Sequence, residues 1–448
     1  MNNLPKNFAP GGNEAFIPSS INLKEVKLTN HKGKIFELRP IVNKFSITES
    51  IHSTSVIVNL LIGDSNNVIE DLQLIGQEKI KLTLTREPHK IDSDRDEEIT
   101  LDLAVSEFPK YKRGNNENIQ TFEIAAVSTF AIFDKTLKIS RFYNDTTSAE
   151  IKKIYETDLN VTDIEELSVS TSRSRGVLRW QHPLQAVEHF RKNTYNDVGS
   201  PFYVFQRLTG KSFIAAQSDL VAEPTYGTYY DGKEFTSRAL SQDDFVERST
   251  RIISVSSQLK LGKVFNSKSG AYASENNYLD YGNKTYTKLD FTFDEFPLSN
   301  TLNKKSPLSK TAEIDYSQTF QAHCEYISTN EFAFEGETKN HNNLRKENGH
   351  NINAFSENLE FTMHDVQLFG DSLLNAGKVV ELKFPKVMDP QVREEKLYDA
   401  DPNDLFDQNL SGKYLIVSAE HTLENGEYFT NIRVKKDSLA FDLWLKIL

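Results

Sequence analysis

Apolar and polar residues alternate along most of the chain, in short runs separated by turn-forming residues. Alternation with a period of two is typical of β-strands that bury one face. In the first third of the chain such runs cover 21–28, 35–45, 56–62, 80–85, 99–108 and 119–127. Six short strands at hairpin spacing predict a small antiparallel β-barrel over residues 21–145.

The same alternation returns near the C-terminus and predicts a second barrel over residues 346–438. Its clearest part is a hairpin within 410–435, in which two alternating runs flank Asn425-Gly426. Asn-Gly is the strongest short hairpin signal, because both central residues of the turn must accept positive φ. We therefore expect one packed face and one solvated face on this hairpin.

Between the barrels the pattern changes to a mixture of helix and strand. Residues 146–240 predict a helix-containing middle domain, and 241–345 predict a mixed α/β insert with a helix that begins at Ser241 and carries Ile252 and Ile253. The polar stretch 336–358 predicts a surface loop. We expect residues 1–20 to form an extended arm and 439–448 a short tail. The predicted fold is thus mainly β with a smaller α/β part.

The two barrel regions show a weak internal repeat. In the first, Asp71 is followed by Leu74, Gly76 and a strand. In the second, Asp371 is followed by Leu374, Gly377 and a strand. A long hairpin follows in both cases. A duplicated unit and a chance likeness between β-rich segments both explain this order.

Charge and composition reduce the number of functional classes that fit the chain. A net charge of −12 argues against general nucleic-acid binding, which needs basic surface, but allows DNA to pass nearby. The single cysteine, Cys324, excludes an internal disulfide. No run reaches the ~20 apolar residues of a membrane helix, so we expect no membrane insertion and a soluble protein made in a cytoplasm.

Motifs that could carry chemistry are incomplete. Gly210-Lys211-Ser212 resembles the end of a phosphate-binding loop, but the required earlier glycine is Phe205. The acidic loop 92–98 lacks the glycine of a calcium loop, and His182 and His189 do not have metalloprotease spacing. We therefore predict no catalytic, metal-binding or cofactor-binding residue.

The chain resembles the baseplate hub proteins of contractile-tailed, T-even-like bacteriophages, whose architecture type VI secretion spike proteins share. The likeness is carried by Ile47-Thr48-Glu49-Ser50-Ile51, by 71–78, by 200–210, by 359–385 and by 411–434, in this order. It is weakest over 260–358. The resemblance implies a homotrimer in which two similar barrels per chain form a near-sixfold ring.

The resemblance also implies the partners and the place of action. These are a trimeric spike protein, the tail tube or a tube-initiator protein, other baseplate proteins, and DNA that passes through the lumen without specific binding. The location would be the virion tail baseplate, assembled in the host cytoplasm. Because long hairpins can pair edge to edge and close a tube, the candidate interface residues are Leu101, Leu103, Val105, Ile119, Phe122, Ile124, Tyr414, Ile416, Tyr428, Ile432 and Val434.

Two other functions stay open at this point. A cell-wall hydrolase at a tail tip would need a pair of carboxylates or a metal set in a cleft. A host glycan-binding tail protein would expose tryptophan platforms, but Trp180 and Trp444 lie in amphipathic segments that favour a core or interface position.

Overall fold

A computed structural model describes residues 20–65, 71–87, 97–113, 120–232, 250–258, 263–280, 284–309, 313, 315–318, 324–329, 341–360, 362–388, 405–424 and 426–440. Seven strands form the first unit: β1 (Ser20–Thr29), β2 (Ile35–Glu37), β3 (Val42–Ser50), β4 (Ile57–Asp64), β5 (Lys79–Glu87), β6 (Glu97–Arg113) and β7 (Gln120–Ser128). Their order in the sheet is β3-β4-β7-β6-β5-β1-β2. Every second residue of β4 is buried, as its alternating sequence predicts. Leu28 of β1 and Phe45 of β3 share one hydrophobic core, so the sheet curves around that core.

A second unit contains β13 (Thr225–Tyr230), β14 (Ile252–Gln258), β18 (Thr362–Phe369), β19 (Val379–Lys383), β20 (Gly412–Glu424) and β21 (Glu427–Lys436). Their order is β14-β18-β21-β20-β19-β13. This unit is wider than the predicted range 346–438, because β13 and β14 come from upstream. The predicted helix does not extend over Ile252, so this prediction is wrong there. Ile252 begins β14, whose β-branched and small polar residues pair with β18 as a strand. Residues 233–249, including Ser241, lie outside the described residues.

The two units repeat one strand order. In this correspondence β3, β4, β7, β6 and β5 match β14, β18, β21, β20 and β19, and β1 matches β13. Bulges occur at the same places, between Val42 and Lys44 and between Ile252 and Ser254, and again between Val105 and Glu107 and between Ile416 and Ser418. The units differ at one edge, where β1 runs antiparallel to β5 and β13 runs parallel to β19.

β20 joins the two units into one sheet of thirteen strands. Its first part, Gly412–Leu415, pairs with β19 inside the second unit. Its outer part, Ser418–Glu424, pairs with β3 of the first unit. The β20–β21 hairpin closes with Glu424 opposite Glu427, and Gly426 has a positive φ of 84°. Asn425, the other residue of the predicted Asn-Gly turn, lies outside the described residues.

The middle region follows β7 and packs against both units. It contains α1 (Thr129–Asp134), β8 (Phe142–Thr146), α2 (Thr147–Lys153) with a π-helical turn over Ile154–Asp158, β9 (Ile164–Glu166), β10 (Arg173–Val177), α3 (Pro183–Lys192), β11 (Phe202–Gln206), β12 (Ser212–Ala216) and α4 (Gln217–Ala222). β8 and β10 form a separate two-stranded ribbon, while β11, β12 and β9 form a small sheet. All residues of β11 and β12 are buried, which explains why only Gln206 and Ser212 in these two strands are polar.

An insert between β14 and β18 forms its own small sheet, β16-β15-β17. Its elements are α5 (Lys263–Lys268), β15 (Ala273–Asp280), β16 (Thr285–Thr292), β17 (Cys324–Thr329) and α6 (His341–Asn358), with 3-10 turns at Phe293–Glu295, Leu298–Asn300 and Tyr316–Gln318. The predicted loop over 336–358 is wrong where α6 forms. Burial of Ala354 and Phe355 in the insert core stabilises this otherwise polar helix.

The prediction of a mainly β chain with a smaller α/β part is confirmed. Closure of each unit into a barrel stays a prediction. Among the described residues, no helix is both long and apolar enough to cross a membrane.

Candidate functional site

The predicted interface residues lie in the two hairpins, but most of their side chains face the protein's own core. Nine are buried: Leu101, Leu103, Val105, Phe122, Ile124, Tyr414, Ile416, Ile432 and Val434. Tyr428 is partly buried, and Ile119 lies outside the described residues. The hairpins therefore offer their backbone edges and outward-facing side chains, rather than these apolar side chains, to other molecules.

The outer edge of the C-terminal hairpin, within 410–435, is already paired inside the chain. The outer part of β20 forms a ladder with β3, and its end is reinforced by the Lys44 Nζ–Glu424 carboxylate ion pair at 2.8 Å. The hairpin thus pairs edge to edge with the first unit inside one chain, and edge-to-edge pairing between chains stays a prediction.

In the described part of the chain, the corresponding segment of the first hairpin has no second strand beside it. β6 pairs with β5 only up to Ala104, and β7 pairs with it as far as Arg113. Among the described residues no strand pairs with the other edge of 106–113. Phe108 and Tyr111 in this segment are 37% and 53% exposed, which is high for large aromatic residues. We call the segment 106–113 the donor edge.

The second unit has the complementary free edge. β14 ends the strand order of the sheet, and Ile253 on it is 37% exposed. β14 corresponds to β3, the strand that receives β20 inside the chain. We call β14 the acceptor edge. Sequence reasoning missed it, since its alternation is too weak to separate it from a helix.

Glu49 of β3 lies buried where the two units and the middle region meet. Its carboxylate accepts hydrogen bonds from the amide of Ala376, at 2.5 Å, and from the amide of Leu208. Ala376 belongs to the second unit and Leu208 to the β11–β12 turn. The Arg207 guanidinium donates to the Ala376 carbonyl at 2.9 Å. Burial raises the pKa of Glu49 to about 7, against the opposing effect of these amides and of Arg207.

The histidines that could suggest a catalytic or metal-binding site lie within hydrogen-bonding distance of other groups of the fold. His421 is buried, and its Nδ1 lies 2.8 Å from the Tyr428 hydroxyl. His182 Nδ1 lies 2.7 Å from the Leu137 carbonyl. Within the described residues no group of three or more histidine, cysteine, aspartate or glutamate side chains is placed to hold a metal ion. Trp180 is 73% exposed, so of its two expected positions the core is wrong, and an interface position stays a prediction. Trp444 lies outside the described residues.

These features define a β-rich protein of two repeated units, with one junction made inside the chain and two matching edges to which no further strand pairs within the described residues. No protein-family model matches the chain, and no curated protein sequence matches it.

Solved structures do match. The chain has the fold of a tail protein from Neisseria meningitidis MC58, with 11% identity and a TM-score of 0.51 over 92% of this chain and 96% of that one. The 43 kDa tail protein of prophage MuSo2 from Shewanella oneidensis gives 12% identity and a TM-score of 0.48 over 92% and 98% of the two chains. An Escherichia coli type VI secretion component, described as structurally similar to T4 bacteriophage tail proteins, gives 11% identity and a TM-score of 0.42 over 94% and 78%. The resemblance drawn from the sequence is thereby confirmed at the level of the fold.

Proposed function

We propose that the chain is a structural hub protein of a contractile-tail baseplate, in which three copies form a ring of six similar units. The observation that carries the proposal is the open donor edge of β6 together with the open acceptor edge of β14. The same pair of edges, β20 with β3, is already joined inside the chain. The shared fold with a tail protein supports this role.

The ring contact is derived by applying the intramolecular junction to the open edges. The two units are first aligned on their equivalent strands β7 and β21. In this alignment, residues 110–112 of β6 take the places of residues 420–422 of β20, so that Lys110, Tyr111 and Lys112 correspond in order to Glu420, His421 and Thr422. In the same alignment β14 takes the place of β3, so that Gln258, Ser257 and Ser256 correspond in order to Thr48, Ile47 and Ser46. Lys110 therefore pairs with Gln258 of the next copy, Tyr111 with Ser257, and Lys112 with Ser256.

This contact is head-to-tail, because each copy gives one edge and receives a different one. Such contacts build rings when the rotation between copies closes. Closure also removes the open strand edges, which otherwise expose the chain to aggregation. The number three comes from the resemblance to hub proteins, in which a ring of six units meets a sixfold tube on one side and a trimeric spike on the other.

The partners and the division of the chain follow from the same proposal. The ring joins a trimeric spike protein to the tail tube or a tube-initiator protein, beside other baseplate proteins, in the virion tail after assembly in the host cytoplasm. Residues 21–145 and 346–438, the latter completed by β13 and β14, form the tube domains. Residues 146–240 and 241–345 form the middle domain and the insert. With a net charge of −12, the ring lets DNA pass without holding it.

The mass of the purified chain tests the proposal. We expect a species of three copies at high protein concentration, or on addition of the spike partner, with a central hole visible by negative-stain imaging. Ring closure depends on concentration, so the mass should fall to that of one chain on dilution. A monomer at every concentration, with and without the partner, would contradict the proposal.

A further inference from the structure

We propose that the open edge of β10 in the middle region binds an extended acidic segment of another protein as a third strand. The β8–β10 ribbon is a two-stranded sheet in the described part of the chain. A ribbon of two strands is only marginally stable by itself. An added strand is a common way for a peptide to bind such an edge.

The backbone of β10 presents hydrogen-bonding groups to solvent at alternate residues. The amide of Thr147 donates to the Ser172 carbonyl at 2.9 Å, and the amide of Leu178 donates to the Arg141 carbonyl at 2.9 Å. In an antiparallel pair the inward-bonded positions alternate with outward-pointing ones. The register of the ribbon then directs the amides and carbonyls of Arg175 and Val177 away from β8.

The outer face of the ribbon is cationic and apolar. It carries Phe142 and Val177 opposite each other, each 55% exposed. The Arg175 guanidinium lies 5.7 Å from the Phe142 ring centre. Arg179 and Trp180 continue the exposed surface beyond the strand. The ring of Tyr143 covers the opposite face at Gly176 and packs into the middle-region core.

Charge determines the kind of occupant. The positions on this face, Phe142, Asn144 and Thr146 on β8 with Arg173, Arg175 and Val177 on β10, include no carboxylate, although the chain as a whole is acidic. Among the described residues Arg175 and Arg179 have no ion-pair partner. A strand beside β10 would place alternate side chains against Arg173, Arg175 and Val177. Acidic and apolar residues opposite Arg175 and Val177 match the face, and an acidic residue opposite Arg173 would add to the interaction that this arginine already makes inside the chain.

An extended protein segment fits better than a nucleic acid. Phosphates could pair with the arginines and accept from the outward amide of Val177, but they offer no donor to its outward carbonyl. A protein strand satisfies both. The contact lies outside the donor and acceptor edges, so it is independent of ring formation.

The test uses a fluorescein-labelled peptide, Thr-Glu-Thr-Glu-Thr-Val-Thr-Tyr, and the same peptide in reverse order, because a strand can add in either direction. Fluorescence anisotropy measures binding to the full chain. We expect saturable binding of one order below about 1 mM, the weak end of measurable peptide affinity, and weakening by added salt. The absence of saturable binding by either order overturns the proposal.

Three variants separate strand addition from simple charge attraction. Arg175→Glu with Arg179→Glu should weaken binding by about tenfold, since two attractive contacts become repulsive. Val177→Pro removes one outward amide without removing a ribbon hydrogen bond, and Gly176 before it has no Cβ to clash with proline. It should weaken binding by about fivefold, in line with the loss of one hydrogen bond. Arg39→Glu, at an exposed arginine of the first unit, is the charge control and should leave binding unchanged.

Two results would overturn the proposed binding at β10 without bearing on the proposed ring. One is equal weakening by Arg39→Glu and by the ribbon variants, which would indicate general charge attraction. The other is tighter binding of a labelled single-stranded oligonucleotide than of the peptide, unaffected by Val177→Pro, which would assign the patch to nucleic acid. Circular dichroism of each variant verifies that it is folded.

Discussion

Replacing Phe108 and Tyr111 with aspartate is expected to abolish ring formation and leave a folded monomer. Both side chains lie on the donor edge and are partly exposed in the single chain, where the Tyr111 hydroxyl donates to Gln120 Oε1 at 2.9 Å, so we expect the fold to tolerate their replacement. In the ring they would lie beside β14 of the next copy. We expect the two aromatic side chains to act as hot spots of the contact, which contribute about 2 kcal/mol or more each, and two buried carboxylates add a desolvation penalty.

Sedimentation velocity of the variant and the unaltered chain at equal concentration measures this effect. Tyr286→Asp is the matched control, because Tyr286 is a 57% exposed aromatic residue on β16, outside both units. The control should sediment as the unaltered chain does. A ring that survives Phe108→Asp with Tyr111→Asp would exclude the donor edge as the contact.

Replacing Glu49 with alanine is expected to lower the free energy of unfolding by about 2–5 kcal/mol. Two buried amides, those of Leu208 and Ala376, would lose their acceptor, at roughly 1–3 kcal/mol each. Because the two amides belong to different parts of the chain, the loss should also loosen the second unit and the middle region from β3. Urea unfolding measures the change. Glu165→Ala, which removes a partly exposed ion pair to Lys211, is the control and should cost about 1 kcal/mol or less.

Glu49 also makes stability depend on pH. Its folded-state pKa of about 7 lies above the ordinary value of 4.5. Its contribution is therefore fully present below 4.5 and is lost as the pH rises through 7, by roughly 3 kcal/mol in total. Glu49→Gln keeps the shape and one acceptor oxygen but cannot ionise. Unfolding measured across this pH window should show a smaller fall in stability for Glu49→Gln than for the unaltered chain, and an equal fall would contradict the assignment to Glu49.

Much of the strand content could be predicted from the sequence, because single-faced burial leaves a period of two. β4 and β18 are buried at every second residue, and the predicted C-terminal hairpin is the one formed by β20 and β21. The likeness between 71–78 and 371–378 also indicated the repeat that the strand order now displays.

The parts of the fold and of the candidate site that could not be predicted depend on contacts between residues far apart in the sequence. β14 has only one buried side chain, Ile252, so its strand pairing with β18 leaves little trace in its own sequence. The outer part of β20 could not be assigned to β3, since the partner of a strand edge is set by backbone groups that every residue carries. The role of Glu49 was equally hidden, because a lone glutamate in a strand reads as a solvated side chain.

A disulfide trap between copies tests the ring most directly. In a chain with Cys324→Ser, which removes the single native thiol, Lys112→Cys and Ser256→Cys place thiols at a proposed inter-copy pair. Directly opposite residues of antiparallel strands have Cα atoms about 4.5–5.5 Å apart, a separation that a disulfide spans. Lys112→Cys with Tyr286→Cys is the control. We predict that oxidation yields covalent dimers and trimers, with a closed trimer as the largest product, and that the control stays monomeric. Monomers alone, or a ladder that continues beyond three copies, would contradict a closed ring of three chains joined through β6 and β14.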